Sequence, residues 1–176
     1  MMGEKVITFD PFNCSGCMAC MTACSTHHTG ATSLSKSRIQ IIRHEGHAVT
    51  KMEEEAELIF DMISCQHCEH PFCMFFCPTL AIVKDRETGA VTIDQEKCVG
   101  CRSCLVVCPF GAISYDKNRR QIVKCELCDG DPVCVKFCQT GALQFVPKEF
   151  AHLHKRDSLS RKKTQLQSKF VKTWGA

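Results

Sequence analysis

Long apolar runs are missing from this 176-residue sequence, and no stretch approaches the roughly 20 residues that cross a bilayer. Residues 1–10 contain no apolar signal core, no twin arginine and no small-residue cleavage site, which leads to the expectation of a cytoplasmic protein. Tryptophan and tyrosine occur once each. Hydrophobic residues other than cysteine make up only about 35% of the chain. That is too little apolar surface for a generous core, so a bound group must supply part of the folding energy.

Cysteine is what the chain has in abundance, with sixteen residues. In a short secreted protein this density would indicate a disulfide scaffold. In a reducing cytosol clustered cysteines indicate metal or redox ligands instead.

The cysteines fall into four quartets with none left over: Cys14, Cys17, Cys20, Cys24; Cys65, Cys68, Cys73, Cys77; Cys98, Cys101, Cys104, Cys108; Cys125, Cys128, Cys134, Cys138. The first and third share the spacing C-x2-C-x2-C-x3-C. The second and fourth are wider in the middle, and each has a proline (Pro71, Pro132) two residues before its third cysteine. The repeat extends beyond the cysteines. Thr8-Phe9-Asp10 aligns with Thr92-Ile93-Asp94 without a gap; Phe76 matches Phe137, and Ala81-Ile82 matches Ala142-Leu143. The chain reads as a duplicated two-motif unit.

Between the quartets, Ala81 to Lys84 and Ala90 to Ile93 flank a polar turn, as do Ala112 to Tyr115 and Gln121 to Val123; both read as β-hairpins. Residues 38–43 suit a strand, and the first and third quartets offer only short helical turns. The acidic run Glu53, Glu54, Glu55, Ala56, Glu57 reads as a solvated face. Beyond residue 146 the composition shifts: residues 147–176 hold 8 basic and 2 acidic residues, a basic extension on an acidic 1–146 body. Leu159, Leu166, Phe170 and Trp174 recur at helical spacing there, which suits a stripe that docks on a partner or on a second copy of the chain. An acidic body argues against nucleic acid as a ligand.

In a C-x2-C-x2-C-x3-C run three thiolates can wrap one cubane, while the fourth is carried to a neighbouring cluster. Four such quartets account for four 4Fe–4S clusters. Gly16 and Gly100, between the first two cysteines of their runs, suit a loop bringing backbone amides close to sulfide. Pro78 and Pro109 follow Cys77 and Cys108, whereas Ser25 and Gln139 follow Cys24 and Cys138; quartets two and three therefore pair, as do one and four. Zinc is the alternative occupant, but it favours two well-separated pairs over compact runs of this kind. His27, His28, His67 and His70 lie near complete quartets and read as polar surface or as groups supporting the ligands. Phe72, Phe75, Phe76, Phe110 and Phe137 are expected to pack around the clusters and exclude water.

These motifs resemble the four-cluster iron–sulfur subunits of multi-subunit oxidoreductases, the electron-transfer subunits of dimethyl-sulfoxide reductase, formate dehydrogenase and hydrogenase complexes, over residues 6–146. The resemblance implies a ferredoxin-like α+β fold with two pseudo-repeated dicluster lobes, short β-hairpins and a helical C-terminal extension. It implies one cluster on Cys14, Cys17, Cys20 and Cys138, and a second on Cys125, Cys128, Cys134 and Cys24. A third would sit on Cys65, Cys68, Cys73 and Cys108, and a fourth on Cys98, Cys101, Cys104 and Cys77. With Cys101 present, a three-iron variant is not expected. The short fourth motif is similar to that of small subunits of tungsten-dependent aldehyde oxidoreductases and cytoplasmic hydrogenases. The resemblance thus implies no catalytic residue in this chain. It implies a large catalytic partner, with a tungsten or molybdenum pterin, and an external flavoprotein or ferredoxin. A free soluble polyferredoxin is the rival reading.

Overall fold

Where apolar and polar residues alternate for only three to six positions, the chain can form nothing longer than a short hairpin. The computed structural model describes residues 3–45 and 58–153, together with 156, 157 and 160. Its strands are β1 (Lys5–Phe9), β2 (Gln40–Glu45), β3 (Leu58–Ile63), β4 (Ile82–Lys84), β5 (Val91–Ile93), β6 (Ile113–Asp116), β7 (Gln121–Lys124) and β8 (Leu143–Pro147). The helices are α1 (Ala19–Thr29), α2 (Phe72–Phe75), α3 (Ser103–Val107) and α4 (Val133–Lys136). All strand pairs are antiparallel and two-stranded: β1 with β8, β2 with β3, β4 with β5, and β6 with β7. The fold is a small mixed α/β arrangement of short hairpins.

The turns are set by aspartate. Asp85 Oδ1 accepts hydrogen bonds from the amides of Glu87 and Thr88 at 2.7 and 2.8 Å, and Asp116 Oδ1 accepts from those of Asn118 and Arg119 at 2.9 and 3.2 Å. Such side-chain turns close a hairpin without a long loop.

The internal repeat is visible in register as well as sequence. Phe9 opposes Leu143 in β1–β8, and their counterparts Ile93 and Ile82 oppose each other in β4–β5. The amide of Asp10 donates to the Ala142 carbonyl, and that of Asp94 to the Ala81 carbonyl, both over 2.8 Å. The β8–β1 pair is thus the β4–β5 hairpin without its turn.

Helix α1 is longer than the short turn expected, at eleven residues. Its last cysteine, Cys24, is followed by Ser25, so the helix continues and ends at Gly30, whose left-handed backbone donates to the Thr26 carbonyl over 2.8 Å. In the equivalent place Pro109 follows Cys108, and α3 stops after five residues.

Two buried groups form the core. One joins Met21, Ile39, Ile41, Phe60, Leu127 and Leu143 to Cys20, Cys24, Cys125 and Cys134; the other joins Ile82, Val91, Ile113 and Ile122 to Cys104. Cysteine supplies much of each interior. Residues 151–153, 156, 157 and 160 are helical. The acidic run 53–57 and the residues Leu159, Leu166, Phe170 and Trp174 lie outside the described residues.

Candidate iron–sulfur centre

The first and third runs fold alike around their cysteines. Gly16 and Gly100 both have φ 68°, and the residues after the second cysteines, Met18 and Arg102, have φ 61° and 65°. Left-handed residues alternating with ordinary ones turn successive N–H groups into a concave nest that suits an anion, iron–sulfur clusters among them. In the other two runs His67 has φ 45°, and Leu127, Cys128 and Asp129 have φ between 47° and 66°. Each non-glycine residue held this way costs about 1–2 kcal/mol, which a bound group must offset. A side chain at Gly16 would also strike the Phe60 ring, whereas the space beside Gly100 is open. Close packing matters at the first glycine, and backbone conformation alone at the second.

The four runs interlock. Cys14, Cys17, Cys20 and Cys138 line one hollow, and Cys77, Cys98, Cys101 and Cys104 line another. The thiols of Cys68 and Cys73 lie in the field of Cys65 and Cys108. Those of Cys125, Cys128 and Cys134 lie in the field of Cys24. Neighbouring groups also touch electrostatically: Cys20 acts on Cys134, Cys65 on Cys125, and Cys73 on Cys104.

Burial pushes the free thiols of Cys20 and Cys104 up to about 11, that of Cys125 to about 12, and that of Cys134 further in the same direction. A metal that binds thiolate must therefore displace these protons. The more open Cys17 and Cys101 move the opposite way: the Ala19 amide and Ser15 hydroxyl lower the first, the Ser103 hydroxyl and amide the second.

Several donors point at sulfur. The amides of Arg38, Ala81 and Leu143 donate to Cys24, Cys77 and Cys138 Sγ, each over 3.3 Å. Thr79 and Thr140 hydroxyls lie 3.7 Å from Cys77 and Cys138 Sγ. Hydrogen bonds to cluster sulfurs shift cluster potential, so these contacts would tune a cluster held by the same sulfurs.

The histidines separate into two kinds. His27 and His70 are exposed. His28 is half-buried, with Nε2 3.7 Å from Cys128 Sγ and Nδ1 3.5 Å from Glu126. Glu126 also pairs with Arg38 at 2.5 Å, which ties the segment after α1 to the fourth run. His67 is buried, with Nδ1 accepting from the Val91 amide over 2.9 Å. Burial first, then Lys124 and Lys84, lower His67 to about 3, so the neutral ring carries its proton on Nε2. Among the described residues that Nε2 has no partner. An orphaned buried donor beside Cys65 and Cys68, sixteen cysteines and the N–H nests together fit iron–sulfur clusters.

Residues 56–148, more than half the chain, match the 4Fe-4S dicluster domain family. The chain belongs to this family. It is 39% identical over 142 residues to the NADH-dependent phenylglyoxylate dehydrogenase subunit beta of Aromatoleum evansii, covering 81% of this chain and 30% of that protein. It is 32% identical over 174 residues to the Hydrogenase-2 operon protein HybA of Escherichia coli O157:H7, covering 84% and 53% respectively. To the B subunit of the anaerobic dimethyl sulfoxide reductase of Escherichia coli K12 it is 35% identical over 148 residues, covering 78% and 71%. The chain thus spans between 30% and 53% of the length of the first two relatives.

In this dicluster-domain protein one of the five phenylalanines, Phe137, lines the hollow of Cys14, Cys17, Cys20 and Cys138. Phe72, Phe75, Phe76, Phe110 and Phe137 are all exposed, from 48% to 66%. Helices α2 and α4 are a single turn each, and of their residues only Cys134 is buried. Conversely, sequence reasoning passed over Lys124, which is buried at 3% exposure. Strand alternation held the signal: Lys124 shares a face with the core residue Ile122.

Proposed function

We propose that this chain is the iron–sulfur electron-transfer subunit of an oxidoreductase complex and carries four 4Fe–4S clusters. The ligand sets are Cys14, Cys17, Cys20 with Cys138; Cys125, Cys128, Cys134 with Cys24; Cys65, Cys68, Cys73 with Cys108; and Cys98, Cys101, Cys104 with Cys77. The supporting observation is that the fourth cysteine of each run lies among the first three of another. Clusters held there supply one-electron chemistry. The adjacency of Cys20 to Cys134, Cys125 to Cys65 and Cys73 to Cys104 favours a single row of sites running through two lobes.

The names of its relatives favour a large catalytic partner. The exposed Phe72, Phe75, Phe76, Phe110, Leu80 and Val106 offer that partner an apolar surface. The compact fourth motif favours a tungsten or molybdenum pterin enzyme of the aldehyde oxidoreductase type, with a flavoprotein or ferredoxin at the other end. A hydrogenase complex is the second reading, favoured by the similarity to the hydrogenase-2 operon protein. No described helix is long and apolar enough to cross a membrane, and we place the complex in the cytoplasm. The basic extension 147–176 is assigned to docking; its deletion should cost co-purification of the partner.

Anaerobic isolation should yield a brown protein with about sixteen irons per chain and reducible paramagnetic centres. About four zincs and no colour would end this reading. Cys24→Ser should disturb the same spectral component as Cys125→Ser; disturbance of the Cys14→Ser component instead would refute the exchanged ligand. Tungsten, molybdenum or nickel in the co-purified large subunit decides between the pterin and hydrogenase readings.

A further inference from the structure

Strand β7 ends on a lysine that faces inward. Lys124 Nζ donates to the Val91 carbonyl, to the Cys125 carbonyl over 2.9 Å and to Cys65 Sγ over 3.5 Å. An ammonium has three N–H donors and no lone pair, so these three acceptors use it completely. No carboxylate of a described residue pairs with it. A buried cation with no counter-charge is strongly unfavourable, and among the described residues the anionic chemistry within reach is that of the cysteine sites. A cubane core of about +2 on four thiolates is near −2 overall, which supplies the missing charge.

The position is specific. Cys65 and Cys125 belong to different ligand sets, and their thiols lie in each other's field. His67 approaches the same place from the second run, and Val91 holds both side chains, His67 on its N–H and Lys124 on its C=O. The two side chains are 3% exposed, and both come from residues adjacent to ligands.

We propose that Lys124 is a positioning residue: a fixed positive charge at the seam between the Cys65 and Cys125 sites that raises the reduction potential of the clusters on either side. Reduction adds a negative charge to a cluster, and a cation within a few ångströms stabilises that state more than the oxidised one. The inference rests on the reading of the cysteine sets as cluster ligands.

The test uses the full chain, isolated anaerobically as wild type, Lys124→Met and Lys124→Arg, with iron content measured and each cluster's midpoint followed by paramagnetic resonance. At wild-type iron content, the methionine variant should lower one or both of the two seam midpoints. The reduced-to-oxidised ratio at fixed potential should fall at least tenfold, about 59 mV for a one-electron couple. The remaining midpoints should stay in place, and the arginine variant should restore the wild-type values. Unmoved midpoints at full iron, or an equal shift of all four, overturn the inference and leave the electron-transfer reading standing. A wild-type chain with no reducible iron overturns both. If the methionine variant loses iron, wild-type protein labelled with 15N-lysine decides. A nitrogen coupling in the reduced spectrum that vanishes in Lys124→Arg supports the proposal, and its absence refutes it.

Discussion

The Val91 amide donates to His67 Nδ1 over 2.9 Å, joining the second cysteine run to β5 at a point where neither group meets water. His67→Ala would leave a buried N–H without an acceptor, a loss of about 1–3 kcal/mol. The expected outcome is faster bleaching of the visible absorbance in guanidinium, with bleaching at the wild-type rate counting against the role. His67→Asn, which keeps an acceptor, should lie between the two.

Gly16 and Gly100 allow a controlled comparison. Both require φ 68°, so alanine at either costs about 1–2 kcal/mol in backbone strain. Only at Gly16 does the new methyl meet Phe60. Gly16→Ala should therefore lose up to one cluster's iron, while Gly100→Ala keeps its iron and shows only lowered stability. Equal iron loss in the two variants would show that packing against Phe60 is unimportant.

Glu4 reaches two lysines, Lys148 at 2.9 Å and Lys84 at 3.5 Å, and so connects β8 with β4. Its hydrogen bond with Lys148 is the largest influence and holds its carboxyl below the usual range; burial, the next, opposes it, and the charges of Lys148 and Lys84 then lower it further. The stabilisation is therefore complete above the ordinary glutamate value and fades as pH falls through the depressed one. Exposed pairs contribute about 0–1 kcal/mol each. Glu4→Gln should lower the thermal midpoint slightly at pH 7, by an amount that shrinks as pH falls below the ordinary glutamate value and as salt rises.

Ser25 marks the difference between the long helix α1 and the short α3. Proline there would remove a helical N–H and clash with the preceding turn, at about 3 kcal/mol or more. It would also remove the hydroxyl that donates to the Thr22 carbonyl over 2.9 Å and accepts from the Ser33 amide over 3.1 Å. Ser25→Pro should reduce far-ultraviolet helicity and shift the absorbance attributable to the site at Cys24.

Much of this arrangement was legible before any coordinates. The hairpins around Asp85 and Asp116 follow from alternation and turn chemistry; the length of α1 was not anticipated, although Ser25 in place of a proline like Pro109 held the signal. Strand β1 escaped notice because its partner lies more than 130 residues away, although aligning Thr8 with Thr92 and Ala142 with Ala81 already implied the pairing. Phe137 lines a cysteine hollow, while the exposure of Phe72, Phe75, Phe76 and Phe110 escapes the sequence because hydrophobicity reports a preference for apolar surroundings, not which molecule provides them. Lys124 was overlooked, and His67 was left between surface and ligand support, because a polar side chain in a small protein is ordinarily solvated.

The open β8–β1 pair has a topological corollary. Lys148 and Glu4 face each other across the strand ends, with the Lys148 amide donating to the Glu4 carbonyl over 2.9 Å. A short linker between them and a cut in the Asp85–Gly89 turn would give a circular permutant in which the third and fourth runs precede the first and second. Because the two halves are related by the same register, such a rearranged polypeptide should reach the same architecture by a different order of synthesis.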